Sequence, residues 1–336
     1  MHRTAALALL LAPSAGCWLT GYETAVIESD DVRIETPDDA FRASGERGEV
    51  YQLAVDSARD TNAWVSDTVE AMGEIVLTLN EYPEDGRDGD WRVYGPYPDD
   101  RHDDLAWIVR ISGDAKGSSM EVYAGAVGAQ RADDMDLLLF GDVAVADSAR
   151  NGGFAIDFDA LNRHPELLER DRDATVLGGT INVDFARDTE TLYKQVTIEF
   201  DGVKVDDGDN VYDFDGETYD YERGAKGEGT FHLGARSTFE DESWSGPEIE
   251  RMAIDMRWTK TFAGRARGTI LEGEDGGDLL RGDVEIDECF ADRGSLTWRF
   301  LTEAYQSLAE PGYAFGDEQT CVFTDDELDG EVLQRG

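Results

Sequence analysis

Positive charge is scarce in this chain. Thirty Lys plus Arg stand against 74 Asp plus Glu in 336 residues, a formal net charge of −44, and only five of the thirty are lysine. Such a balance excludes nucleic acid and anionic lipid surfaces as electrostatic partners. It suits cations, a basic partner, or simple solvation against a salty exterior. Histidine is nearly as rare, at four residues, and His102, His164 and His232 are scattered without metal-ligand spacing. No G-x-S-x-G elbow, phosphate-binding glycine loop or H-E-x-x-H helix occurs, so no catalytic residue and no cofactor is assigned. Carboxylates are so abundant that no pair stands out for glycoside chemistry. Long apolar runs are also missing. Ala5 to Ala12 is far short of the roughly 20 residues that span a bilayer.

What is present is enough for a substantial core, with 40% hydrophobic and 10% aromatic residues. One long helix is expected from about Glu49 to Leu79. Trp64, Val65, Thr68, Val69, Met72, Ile75, Val76 and Leu79 recur at three- and four-residue spacing and form one apolar stripe. Pro83 and the Gly86–Gly89 segment end it.

The rest alternates with period two. Leu105, Trp107, Val109 and Ile111 share a face, as do Phe154, Ile156 and Phe158, and Ile181, Val183 and Phe185. The same holds for Val196, Ile198 and Phe200, for Met252, Ile254, Met256 and Trp258, and for Leu296, Trp298 and Phe300. Turn residues are expected at Asn151-Gly152, Asp201-Gly202, Asp215-Gly216, Gly276-Gly277 and Asp292 to Gly294. Short connections join antiparallel neighbours, because parallel pairs need long crossovers. The expected fold is mainly β (α+β): a large curved antiparallel sheet or half-barrel packed on one long N-terminal helix, in a single domain over 47–336. A short strand is expected near Ala25–Ile34, within an acidic tether over 17–46.

Val211 to Glu222 places Asp213, Asp215, Gly216 and Glu222 at four positions of a calcium loop. Val211 cannot ligate at the first, so Asp213 and Asp215 stand as metal candidates beside the plainer reading of a hairpin turning at Asp215-Gly216-Glu217, with Tyr212, Phe214, Tyr219 and Tyr221 inward. Arg251, Arg257, Arg265 and Arg267 form the one basic concentration, readable as an anion-binding stripe or as cross-strand partners for the surplus carboxylates.

The first residues, MHRTAALALLLAPSAGC, join a basic start to an apolar run and small residues, the layout of an export signal over 1–16. Ser14-Ala15-Gly16-Cys17 resembles the lipobox of bacterial lipoproteins, departing from it at Ser14, where Leu is usual. The resemblance implies cleavage before Cys17, diacylglycerol on its thiol and an acylated amino terminus. Trp18 stands where Asp would signal inner-membrane retention, which implies the outer membrane. The helix, the segment WRVYGPYPDD, the hairpins and a late cysteine pair also resemble uncharacterised bacterial envelope lipoproteins. With Cys17 assigned to lipid, Cys289 and Cys321 remain, an even pair in an oxidising compartment. They form either a disulfide or two buried thiols.

The expected role is therefore that of an exported, lipid-anchored envelope protein that contacts the membrane through its N-terminal lipid and presents an acidic face to a protein partner. The alternative is a carrier holding a lipid or other apolar ligand between sheet and helix, and a hydrolase of unknown type comes third.

Overall fold

The computed structural model describes residues 24–37, 47–167, 175–206, 208, 211–238, 249–274, 285–292, 294–301 and 315–328. Cys17, the leader, most of the tether and the Gly276-Gly277 turn lie outside the described residues. The chain is mainly β with one long helix. It forms two compact units interleaved in sequence: the first takes 1–33, 62–190 and 196–217, the second 34–61, 191–195 and 218–336.

The long helix, α2, runs Glu49–Asn80, the span its apolar spacing predicts. It follows α1, a single turn at Ser29–Val32. Its residues to Thr61 belong to the second unit and those from Asn62 to the first. On the latter part Val65, Val69, Met72, Ile75, Val76 and Leu79 are all buried, the predicted stripe.

In the first unit the strands are β1 (Gly86–Asp88), β2 (Trp91–Pro98), β3 (Leu105–Asp114), β4 (Gly117–Ala126), β5 (Asp136–Ala146) and β6 (Ala149–Asp157). After a short helix, α3 (Phe158–Asn162), come β7 (Thr175–Asp188), β8 (Lys194–Asp206) and β9 (Val211–Asp213). They pair in chain order as an antiparallel meander. Alternation turns Ile181, Val183 and Phe185 of β7 inward, with Val196, Ile198 and Phe200 of β8. The helix lies close on this face. A Cβ added at Gly141 of β5 would sit 2.2 Å from Met72 Cε, so glycine lets the helix approach the strand.

The second unit continues with β10 (Thr218–Arg223), β11 (Gly229–Thr238), β12 (Ile249–Trp258), β13 (Gly264–Glu274), β14 (Glu285–Phe290), β15 (Leu296–Leu301) and β16 (Phe315–Gly316), again antiparallel in chain order. Met252, Ile254, Met256 and Trp258 are buried as their period predicts. The helix start packs here: Tyr51 and Phe290 rings lie 4.6 Å apart, and Val50 reaches within 3.0 Å of a Cβ position at Gly268.

Four expectations are corrected. Residues 25–34 form the turn α1 rather than a strand, because the fully buried Asp31 closes a capping box onto Glu28 and binds Arg150. Asn151-Gly152 and Asp201-Gly202 lie inside β6 and β8; the chain reverses instead near Asp147, which has a positive φ of 51°, before β6, and beyond Asp206 after β8. Asp215-Gly216 is a bulge rather than a hairpin turn. Phe214 N donates to Val203 O and Gly216 N to Phe200 O, so the chain keeps travelling along β8. Finally, β15 is inverted. Arg299 and Leu301 are buried while Phe300 is 47% exposed, because position 299 faces a buried acid. The Asp292 to Gly294 turn falls between β14 and β15 as expected, with Gly294 at φ 70°.

Candidate functional site

Two charged constructions dominate the second unit, one on each face of β13 to β15. Cross-strand register decides the faces: Ala266, Glu288 and Arg299 form one row and Arg265, Cys289 and Trp298 the adjacent one. Adjacent rows point to opposite sides.

On the inner side, Glu288 is fully buried. Its Oε1 accepts from Glu49 N at 2.7 Å and its Oε2 from Tyr51 N at 3.1 Å, so a strand residue 237 to 239 positions away caps α2. A helix start leaves N–H groups without partners, and an anion there also meets the positive end of the dipole. Arg299 lies 2.9 Å from the same carboxylate. Burial pushes the Glu288 carboxyl up, against the opposing pull of Tyr51 N–H, Arg299 and Glu49 N–H. Gly48 leaves the room for this approach, since a Cβ there would fall 1.9 Å from Glu288 Oε2.

On the outer side, Arg265 and Arg267 are 2% and 8% exposed. Asp287 holds both: Arg265 Nε and Nη2 donate to its two oxygens at 3.1 Å, and Arg267 Nε and Nη2 donate to Oδ2 at 3.3 and 3.2 Å. The C-terminal segment closes over them. Asp325 Oδ1 accepts from Arg265 Nη2 at 3.1 Å and from Arg267 Nη2. Arg265 Nη1 donates to Phe323 O, and Arg257 donates to Glu327 O at 2.9 Å with its guanidinium over the Phe323 ring. Trp298 lies beneath Arg265 at 5.3 Å. A disulfide between Cys289 and Cys321 ties the segment down. Arg265 and Arg267 of the arginine concentration are thus engaged by carboxylates from the neighbouring strand and the C-terminal segment, and Arg257 by a backbone carbonyl and an aromatic ring.

In the first unit Asp31 is the counterpart. Arg150 grips it at 2.7 to 3.1 Å through Nε and Nη2, and Arg187 Nη1 adds a contact at 3.4 Å. Asp213 and Asp215 do not converge on a common point. Asp213 pairs with Lys204 at 2.9 Å, and Asp215 Oδ1 accepts from Gly202 N, so each stabilises the bulge. Among the described residues no group of three or more metal-ligating side chains occurs.

Each of the three body histidines faces an aspartate: His102 lies 2.9 Å from Asp99, His164 2.9 Å from Asp136 and His232 2.6 Å from Asp255. Hydrogen bonding to Arg163, then to His164, holds the Asp136 carboxyl below its ordinary range despite some burial. For Asp99 burial pushes upward, but donation from Trp107, the Arg101 and His102 amides and the His102 ring outweighs it.

A cleft between α2 and the β4–β5 face is lined by Ile27, Met72, Val76, Met120, Gly141 and Val143. Its volume of about 20 Å³ is room for one water and not for a lipid chain.

The inward acid Glu288 and its partner Arg299 carry little sequence signal, only a charged residue, Glu288, set beside Asp287 in a strand that alternation alone cannot orient. Comparison with protein-family models, curated proteins and solved structures finds no match.

Proposed function

We propose that this chain is a lipid-anchored protein of the bacterial cell envelope that presents an acidic surface to a basic partner. One observation carries the reading: a set of arginines is buried in ion pairs while carboxylates of the β7–β8 face stand in solvent. In the first unit the side chains of Arg150 and Arg110 are 11% and 15% exposed and each is paired with a carboxylate, whereas Asp184, Glu199 and Asp201 of β7 and β8 are exposed. In the second unit Arg265, Arg267 and Arg299 are buried in the same way. With 74 acidic against 30 basic residues, and several of the arginines buried, the surface keeps an excess of negative charge that steers association with a positively charged patch. The lipobox-like Ser14-Ala15-Gly16-Cys17 supplies the membrane attachment, and acyl chains contribute about 0.8 kcal/mol per buried CH₂. The carrier alternative asks for a ligand-sized cavity, and the cleft beside Met72 does not support it.

Two measurements test this. Cys17→Ala moves the protein from the membrane to the soluble fraction; an unchanged membrane fraction contradicts the anchor. The triple variant Asp184→Asn, Glu199→Gln, Asp201→Asn loses the salt-sensitive complexes that wild type forms under in-cell crosslinking. Identical crosslinks in both contradict the acidic-surface role.

A further inference from the structure

We infer that the C-terminal segment 316–328 is a self-ligand: Asp325 fills a carboxylate-binding site made by Arg265 and Arg267, and thiol exchange at Cys289–Cys321 opens that site to an acidic peptide of a partner.

The receptor half is built without the segment. Asp287 orients both guanidiniums from one side, and Trp298 supports Arg265 from below. Two guanidiniums fixed so that both reach one oxygen form a preorganised carboxylate site, since little rotamer freedom remains to be lost on binding. The ligand half is of a different character. Asp325 keeps a side chain 59% exposed while bridging two arginines that are almost fully buried. Its neighbours Gly316 to Thr320, Val322, Thr324, Asp326 and Glu327 are exposed too. Beyond the arginine contacts, the segment is held by the short β16 pairing, the buried Leu328 and the disulfide. Phe323, stacked on Arg257 two residues before Asp325, adds an aromatic to the recognised pattern.

The disulfide is placed to exchange. Cys321 is half-buried, whereas Cys289 is 1% exposed. The thiolate of a dithiol reductant attacks Cys321 Sγ, breaking the Cys289–Cys321 bond and expelling Cys289 as thiolate. The second thiol of the reductant then attacks the mixed disulfide, leaving the reductant as a cyclic disulfide and Cys321 as thiolate, and each cysteine thiolate takes up a proton. Arg265 stands directly opposite Cys289 on the same face of the β13–β14 pair. Once the disulfide is open, a competing acidic peptide can replace the arginine contacts and the seat of Leu328, and the two-residue β16 pairing alone still tethers the segment.

The test uses the full chain and a labelled synthetic peptide with the sequence of Val322–Leu328. The oxidised protein is expected not to bind it. After reduction by dithiothreitol without denaturant and alkylation of the two thiols, the protein keeps its far-ultraviolet circular dichroism, is cut by protease within 316–328 first, and binds the peptide. In that reduced form Asp325→Asn, a change at an exposed position, strengthens peptide binding about tenfold, the worth of one weakened charge-assisted bond in the competing self-ligand. The inference is overturned by a disulfide that resists reduction until the protein is denatured, by loss of the strand signal on reduction, or by a reduced, folded protein that does not bind the peptide.

Discussion

Truncating Glu288 to alanine is expected to unseat the start of α2. The carboxylate is fully buried, accepts from the Glu49 and Tyr51 amides, and neutralises the buried Arg299. Removing it strands two amide donors and takes from the buried Arg299 its buried carboxylate. Breaking a buried ion pair from one side costs about 3–5 kcal/mol, a large fraction of a total stability of about 5–15 kcal/mol. Glu288→Gln keeps the shape and one acceptor oxygen and loses the charge, so its cost is closer to the ~1–3 kcal/mol of an unsatisfied buried group. Urea titration followed by circular dichroism ranks the variants, and hydrogen exchange at residues 49–58 localises the effect to the first turns. The pH dependence has a definite sign. Burial raises the folded carboxyl above its unfolded value, so the native state binds the proton more tightly and this group's contribution declines as pH rises through the ordinary carboxylate range toward the raised value. Glu288→Gln abolishes that slope. An alanine variant within ~0.5 kcal/mol of wild type, the range of an ordinary surface change, or unaltered exchange at residues 49–58, refutes the capping argument.

Asp31→Ala is expected to cost a similar ~3–5 kcal/mol by leaving the inward-facing Arg150 without its buried carboxylate; an unshifted urea midpoint contradicts it. Gly153→Ala, whose Cβ would meet Val183 O at 2.2 Å, is expected to destabilise by about 1–3 kcal/mol through an unyielding backbone clash. Gly141→Ala meets only the movable tip of Met72 and is expected to be the milder of the two in the same titration. Asp136 is held low by Arg163 and His164, so its contribution is present above its unfolded value and lost as pH falls through the folded one. Asp136→Asn flattens the acid limb of a stability-against-pH curve, and an unchanged limb counts against the assignment.

Where one face is purely apolar, the chain is readable residue by residue. The spacing from Trp64 to Leu79 marks α2 to within one residue of its end at Asn80, and Ile181, Val183 and Phe185 give the inward side of β7. The errors cluster where charge is buried. Alternation assigns Trp298 and Phe300 to the core, yet a helix start elsewhere in the chain needs an anion, Glu288 supplies it, and Arg299 follows it inside. The aromatic pair is left outside, with its rings stacked 6.3 Å apart. Residues 25–34 mislead for the same reason, because the partner that fixes Asp31 is 119 residues away. Asp-Gly pairs mislead at β8 because a bulge and a turn ask for the same glycine freedom, and only the partner strand distinguishes them. The arginine stripe is visible in the sequence, but the segment that covers it is identified only by long-range contacts.

The most direct test of the proposed role is the intact mass of the protein extracted from the membrane fraction of a bacterial host. Residues 17–336 carrying diacylglycerol and an N-terminal acyl chain on Cys17 is the predicted result; a chain that keeps residues 1–16, or one cut there without acyl mass, contradicts the anchored envelope protein.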